Sequence, residues 1–392
     1  MTVKQALRKV QLTAREDIEL GPLDRYRSFR VDLRSSKGLT LVDHQVDALD
    51  ELKAQLARDL RFEYMKEREI DEAAWGFAVA VNRRRDTNHV SAFIEQHAQE
   101  PVELICLFPV EGLTVHRELE LFGVTFTPAE EAELPEHIFG PVQGPIGAVV
   151  SIMCEGTNGR AMKERARKRV EHALRQLRAG LRERRAIPDQ QLRFRLGTSY
   201  WFDGGGGGRS TRSDQIIDVG LNEDLVELAT STEIAKLPAE GGTSIDRAAR
   251  RALQWFDDAL LATDPLKEVL YLFFALEGIL GDKSDKLKGE NLALRRALLS
   301  HKLDQGFTHP GRIYDLYDEV RSEAVHGGEP LEVSKSEVSR FQWDVRRAIN
   351  EFVEYARKEG FSKQAKLLAA LDSDPAREEI KAGFLPDRGA LD

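Results

Sequence analysis

The sequence predicts an α+β N-terminal domain followed by an all-α helical bundle. Three observations carry this reading. Residues 1 to about 200 mix two-residue alternation with 3.6-residue periodicity. From 244 to 360 only the helical period recurs, one capped segment after another. Between them, five glycines at 204–208 and the pair Gly241-Gly242 mark a change of character, which sets the boundary between about 225 and 245. The expected organisation is an α+β domain over 1–235, a bundle over 245–360 and a tail over 361–392. A chain of 392 residues has the length of two or three domains.

In the first domain Val46, Leu49, Leu52, Leu56 and Leu60 recur at helical spacing. Trp75, Phe77, Val79 and Val81 alternate with smaller residues, which predicts a strand. The apolar runs 102–110 (VELICLFPV) and 147–154 (GAVVSIMC) predict two buried strands. Within 113–127, Leu119, Leu121, Gly123 and Thr125 alternate with Glu118, Glu120 and Phe122, as in a hairpin. Ala166, Val170, Ala173, Leu174, Leu177 and Leu181 form the stripe of an amphipathic helix, and a strand near 192–196 closes the domain. The glycine run is followed by no Lys-Ser/Thr pair and has no strand-then-helix frame. It therefore reads as a flexible loop rather than a phosphate loop.

The bundle opens with a stripe of Ala248, Ala252, Trp255, Phe256, Ala259 and Leu260. Asp264-Pro265 starts the next helix, PLKEVLYLFFALEGILG, which is apolar nearly all round, as a central helix must be. Gly281 ends it. The loop DKSDKLKGE leads to ENLALRRALLSHKL, and a further helix starts at Pro310 with Ile313, Leu316, Tyr317, Val320 and Ala324 on one face. Ser334 and Glu337 form a capping box for the last long helix, and Gly360 closes it. The tail adds a short helix around 363–371 and then frays. Glu277, alone in an apolar helix, requires a partner, and Arg295 or Arg296 is the expected one, as a structural ion pair.

Composition narrows the function. No run reaches the ~18 apolar residues of a membrane span, the N-terminus lacks a signal-peptide core, and two cysteines make neither a disulfide framework nor a zinc site. A cytoplasmic, reduced protein is expected, with no membrane partner, no cofactor and no metal, since the histidines show no metal-ligand spacing. The net charge of −9 hides an asymmetry: 160–185 carries +8. Its basic face, with Arg167, Lys168 and Arg175, is either a solvated face balanced by acidic neighbours, which composition favours, or a surface that tracks phosphates. In the bundle, Arg321, Ser322 and His326 gather an always-charged guanidinium, a hydroxyl and a near-neutral imidazole at a helix end. Five residues at 100° leave Arg321 and His326 about 140° apart on an ideal helix. They converge only if the helix loosens or if two copies face each other; the bland reading is complementation of the helix dipole.

The run LYLFFALEGILG, then NLALRRALLS, then IYDLYDEVRSEAVHGG resembles the HEPN superfamily, in particular its ApeA-like branch, over about 245–360. Arg321 and His326 fit that family's R-x4–6-H signature with four intervening residues. The segment ELELFGVTF and the helix ERARKRVEHALRQLR are also similar, more weakly, to upstream regions of ApeA-like proteins. The resemblance implies a metal-independent RNA endonuclease that works as a homodimer, with His326 as general acid/base and Arg321 on the scissile phosphate. Ser322 occupies the polar position after the arginine, where members often carry Asn, Asp or His. Anti-phage defence is the role it suggests; the N-terminal domain is expected to recognise a trigger, a partner or the RNA. A catalytically silent HEPN module for dimerisation or for RNA or protein binding is the competing expectation.

Overall fold

The structure is a computed structural model that describes residues 2–13, 30–31, 40–41, 43–83, 89–132, 146–182, 191–197, 200–208, 219–282, 285, 288–303, 308–326 and 333–385. By contacts the chain forms two compact units, Met1–Cys106 with Met153–Ala166, and Leu107–Ile152 with Arg167–Asp392. This division runs through two strands, whereas the composition changes at 225–245. An N-terminal region of sheet and helices precedes a helical C-terminal region. Among the described residues no helix is long and apolar enough to cross a membrane.

The first unit packs helices α1 (Val3–Thr13), α2 (Asp43–Leu56), α3 (Glu67–Arg83) and α4 (His89–His97) around Leu7, Leu49, Leu52, Phe62, Phe77 and Phe93. Two short strands, β1 (Arg30–Val31) and β2 (Thr40–Leu41), pair antiparallel. The strand expected at Trp75–Val81 is instead the second half of α3. Ile70, Ala74, Phe77, Ala78 and Val81 are the buried residues, and their spacing is helical. A short apolar run satisfies both periods, so length decides, and 17 residues make a helix. Glu69 accepts the Lys66 N–H at 2.6 Å and so starts the first turn. Cys106 and Cys154 are buried and form no disulfide.

The sheet is built from β3 (Val102–Glu111), β5 (Leu119–Leu121), β6 (Val124–Pro128), β7 (Ile146–Gly156), β8 (Arg195–Leu196), β9 (Tyr200–Phe202) and β10 (Gly207–Gly208); β4 (Leu113–Val115) lies outside it. The order is β10-β9-β3-β7-β6-β5, and β8 also pairs with β3. β4 pairs in parallel with β11 (Val219–Leu221). The expected hairpin is β5–β6, turned at Phe122 and Gly123, whose φ values of 55° and 74° suit the twist of the flanking strands. The glycine run is the tip of the β9–β10 hairpin: Gly207 pairs with Trp201, while Gly205 and Gly206 supply φ values of 93° and 83°. It is a loop between two strands, not the strand-to-helix turn of a phosphate loop.

The helices continue as α5 (Gly159–Leu181), α6 (Glu223–Thr230), α7 (Ser244–Leu261), α8 (Pro265–Leu280), α9 (Lys288–Lys302), α10 (Pro310–Leu316), α11 (Glu323–His326), α12 (Lys335–Lys358), α13 (Gln364–Asp372) and α14 (Ala376–Phe384). Their ends follow the chemistry of the sequence. Thr243 and Asp246 form a capping box on α7, Asp264 caps α8 with Pro265 at its first position, and Ser334 caps α12. α12 closes with Gly360 at φ 71°, where the Phe361 N–H reaches the Ala356 carbonyl at 2.8 Å. α12 packs on both α7 and α8, and Phe256, Leu272, Phe273, Leu298, Phe341 and Phe352 are sealed in the core. The tail does not fray after the first short helix. A second helix, α14, follows, and Leu367, Leu368, Leu371 and Ile380 join the same core.

Candidate functional site

Between α10 and α11 the helix widens into a π-helical turn, Tyr317–Ser322, which holds Arg321 and Ser322. Such a turn carries one residue more than an α-turn and is often found where function needs it. It buries Tyr317 and Val320 and leaves Asp318 and Glu319 exposed. Tyr317 is wedged in place. Its ring meets Phe273 edge-on at 5.3 Å, and a Cβ on Gly289 of α9 would lie 2.7 Å from Cδ1, so only glycine fits there.

Arg321 sits over this ring, its guanidinium carbon 5.0 Å from the centroid. Its Nε is 3.1 Å from Oε1 of Glu277, an ion contact in which neither atom has hydrogen-bond geometry. The Arg321 side chain is 14% exposed, and of its nitrogens only Nε is sealed from solvent without a partner. Among the described residues no hydrogen bond occupies its terminal nitrogens. Burial first, then the Glu277 carboxylate, raises the pKa of Tyr317, and its hydroxyl stays protonated.

The structure therefore corrects the expected partner of Glu277, which is Arg321 rather than Arg295 or Arg296. Those two are structural, but with other carboxylates. Arg295 donates to Asp285, Asp372 and the Leu280 carbonyl at 2.7–3.0 Å, and these bonds raise its pKa against the cost of burial. Arg296 is fully buried and pairs with Glu351, also fully buried; desolvation lowers its pKa. Helical spacing places Glu277 on α8 and both arginines on α9, but Arg321 is the cation whose position on the chain fold brings it within reach. Ser322 is half-buried at the end of the wide turn. His326 closes α11; its side chain, like residues 327–328, lies outside the described residues. The interval from Arg321 to His326 begins in the wide turn, so the 140° of a uniform helix does not apply.

The other expected site residues lie on α5. Arg167 donates to Glu171 at 2.9 Å, and Arg175 lies 3.7 Å from both Glu171 and Asp257. Lys168 and Arg169 are exposed. The second half of the helix is not a free positive face. Arg178, 4% exposed, makes a two-pronged pair with Asp257, and Arg182, 3% exposed, donates to Ser339 and Gln342 at 2.9 and 2.6 Å. Neither the solvated face nor a phosphate-tracking surface describes this half: its charges are internal cross-links to α7 and α12. His309 caps α10, accepting the Gly311 N–H at 3.1 Å, and its ring meets Phe384. Among the described residues no three His, Cys, Asp or Glu side chains are grouped to hold a metal.

Sequence reasoning missed the wide turn and the part played by Tyr317. The signal present was the spacing of Tyr317 and Arg321, four residues apart and so on one helix face. No family model, curated protein or solved structure matches this chain.

Proposed function

We propose that the chain is a metal-independent RNA endonuclease of the HEPN type, working as a homodimer whose composite site is built from Arg321 and His326. The observation that carries this reading is the state of Arg321. It is anchored by Glu277 and the Tyr317 ring, while among the described residues no hydrogen bond takes up its terminal nitrogens, which leaves donors for a phosphate. Arg295 has spent its donors on carboxylates and a carbonyl.

In this reaction His326 takes the proton of the RNA 2′-hydroxyl. The 2′-oxygen attacks the adjacent phosphorus, the bond to the 5′-oxygen breaks, and that oxygen receives a proton from a histidine. Arg321 stabilises the charge that develops on the phosphoryl oxygens. The products are a 2′,3′-cyclic phosphate and a 5′-hydroxyl, and DNA is spared because it lacks the attacking hydroxyl. Ser322 adds a hydrogen-bonding group beside the arginine. On α5, Lys168 is an exposed cation for an RNA phosphate, and Arg167 and Arg175, each near Glu171, share that helix. Anti-phage defence, with a trigger read by the N-terminal region, is the setting suggested by the family resemblance.

The second reading is a silent module for dimerisation or for RNA or protein binding. One observation favours it: Glu277 already offsets the charge of Arg321. The two are separated by incubating the protein with RNA in EDTA. The nuclease reading expects cleavage with cyclic phosphate ends, blocked by a 2′-O-methyl group at the cut site. His326→Ala and Arg321→Ala should each lower the rate by about 10²–10⁴-fold without unfolding the chain. Robust cleavage by His326→Ala, or no cleavage by the unmodified protein, overturns it.

A further inference from the structure

α8 is sealed along one side and open along the other. Val269, Leu272, Phe273, Leu276 and Ile279 are buried in the core, whereas Leu270, Tyr271, Phe274 and Glu277 are half-buried and Lys267 is exposed. At 100° per residue these last five positions span an arc of about 120° centred on Phe274, so they form one continuous face. Trp255 of α7, also half-buried, widens it: its ring stacks on Tyr271 at 5.7 Å and meets Phe274 edge-on at 5.2 Å. Neither the Trp255 indole N–H nor the Tyr271 hydroxyl has a hydrogen-bond partner among the described residues. Three large aromatic side chains gathered at a half-open surface, two of them with polar tips, favour a protein contact over a solvated helix face.

The charges on this face select the partner. Its apolar centre carries a cation at the N-terminal end of α8, Lys267, and an anion toward the C-terminal end, Glu277. Lys267 makes no ion pair or hydrogen bond among the described residues. Such a face is complementary to itself. A second copy laid antiparallel, crossing at the level of Leu272, brings position 267 of each copy level with 277 of the other and 270 level with 274. Two-fold symmetry makes each contact twice. The two Glu277 positions then lie about 15 Å apart along the helices, ten residues at a rise of 1.5 Å. Glu277 is also the carboxylate 3.1 Å from the Arg321 Nε, so the face runs directly into the candidate site.

We propose that the open face of α8, with Trp255, is the contact between two copies of this chain, and that the partner's Lys267 completes each site by offsetting Glu277. The role given to Glu277 rests on the nuclease reading above; the contact itself does not. In a single chain Glu277 both holds Arg321 and offsets its charge. In the dimer it still holds the guanidinium, but its own charge is taken up across the interface, and the positive charge of Arg321 is left for a phosphate. The site is therefore incomplete without the second copy.

Sedimentation equilibrium of the full chain, without RNA, tests the contact. Lys267→Glu sets like charges opposite each other at an exposed position and should raise the dimer Kd at least tenfold. Glu277→Lys should do the same, and the double variant Lys267→Glu/Glu277→Lys should recover most of the loss. Phe274→Ser removes the apolar centre and should also weaken the dimer at least tenfold. Circular dichroism checks that each variant folds. At concentrations where Lys267→Glu is dimeric, its cleavage of RNA should still be at least tenfold slower. Folded Lys267→Glu and Phe274→Ser proteins that dimerise like the unmodified chain overturn the proposal and leave the nuclease reading intact. A double variant no better than either single one overturns the charge pairing. If Phe274→Ser keeps the dimer and weakens RNA binding instead, the face belongs to RNA and the proposal falls. A chain that dimerises through this face and cleaves no RNA fails the nuclease reading alone.

Discussion

His172 shows how burial turns a common residue into a pH-dependent one. It is 6% exposed on α5 and its Nε2 donates to the Leu237 carbonyl at 3.3 Å. Desolvation, aided by Arg175 and Arg250, pushes its pKa down to about 4, against the opposing effect of that hydrogen bond. The unfolded chain binds the proton near pH 6.5, so protonation favours unfolding between those values. Stability should therefore fall as pH drops from about 6.5 to 4, by up to about 3 kcal/mol from this residue. His172→Gln keeps a donor for Leu237 and should flatten the pH dependence of urea unfolding over that window; superimposable curves would refute the assignment. At the candidate site, Glu277→Gln keeps the shape but removes the charge that holds Arg321. If Glu277 positions the guanidinium, cleavage slows by about 10–100-fold while the fold persists. Unchanged or faster cleavage would show that Glu277 only neutralises it. Glu277 and Arg321 are both chemically loaded positions in the sequence, but their pairing is not legible there, because they lie 44 positions apart.

At the scale of elements, α5 illustrates the ambiguity of a charge pattern. The apolar stripe Ala166–Leu181 and the eleven basic residues around it are compatible with solvent, which composition favours, with RNA and with internal ion pairs. Packing against α7 and α12 selects the third for its second half. Arg178 and Asp257 are the central pair, and removal of one partner leaves a buried charge uncompensated. Asp257→Ala should destabilise the protein by about 3–5 kcal/mol in denaturant unfolding. The double variant Arg178→Met/Asp257→Leu should recover most of that loss, since apolar replacements of buried pairs are often neutral. A double variant no more stable than Asp257→Ala would point instead to the Phe194 carbonyl bond of Arg178 as the main term. The strand-like alternation of Trp75–Val81 was misleading for a related reason: period alone does not choose between strand and helix in a run this short.

At the scale of the molecule, the C-terminal helices are part of the folded unit rather than an appendage. α13 and α14 bury four aliphatic side chains in the core, and Asp372 and Asp374 pair with Arg295 and Lys302 on α9. Truncation after Ser362 should lower the melting temperature by at least about 5 °C, each buried aliphatic group being worth roughly 1.5–3 kcal/mol. An unchanged melting temperature would remove these helices from the cooperative unit. A composite site also makes a claim about assembly. Light scattering should give twice the mass of one chain at micromolar concentration, with or without RNA. A monomer under both conditions would count against the shared site.

By itself the sequence determined where most helices begin and end, which strands are buried, and that Arg321, Ser322 and His326 share one helix end. These depend on near neighbours: caps at Thr243, Asp264 and Ser334, the glycine at 360, and apolar spacing within a few turns. Only the tertiary structure decided the ion-pair partners, the burial of Arg178 and Arg182, the helix at 75–81, the second tail helix and the wide turn at Tyr317–Ser322. The reason is that a charge is settled by what lies within a few ångströms in space and by how much water it loses there. Both quantities belong to the packed chain, and residues far apart along it set them.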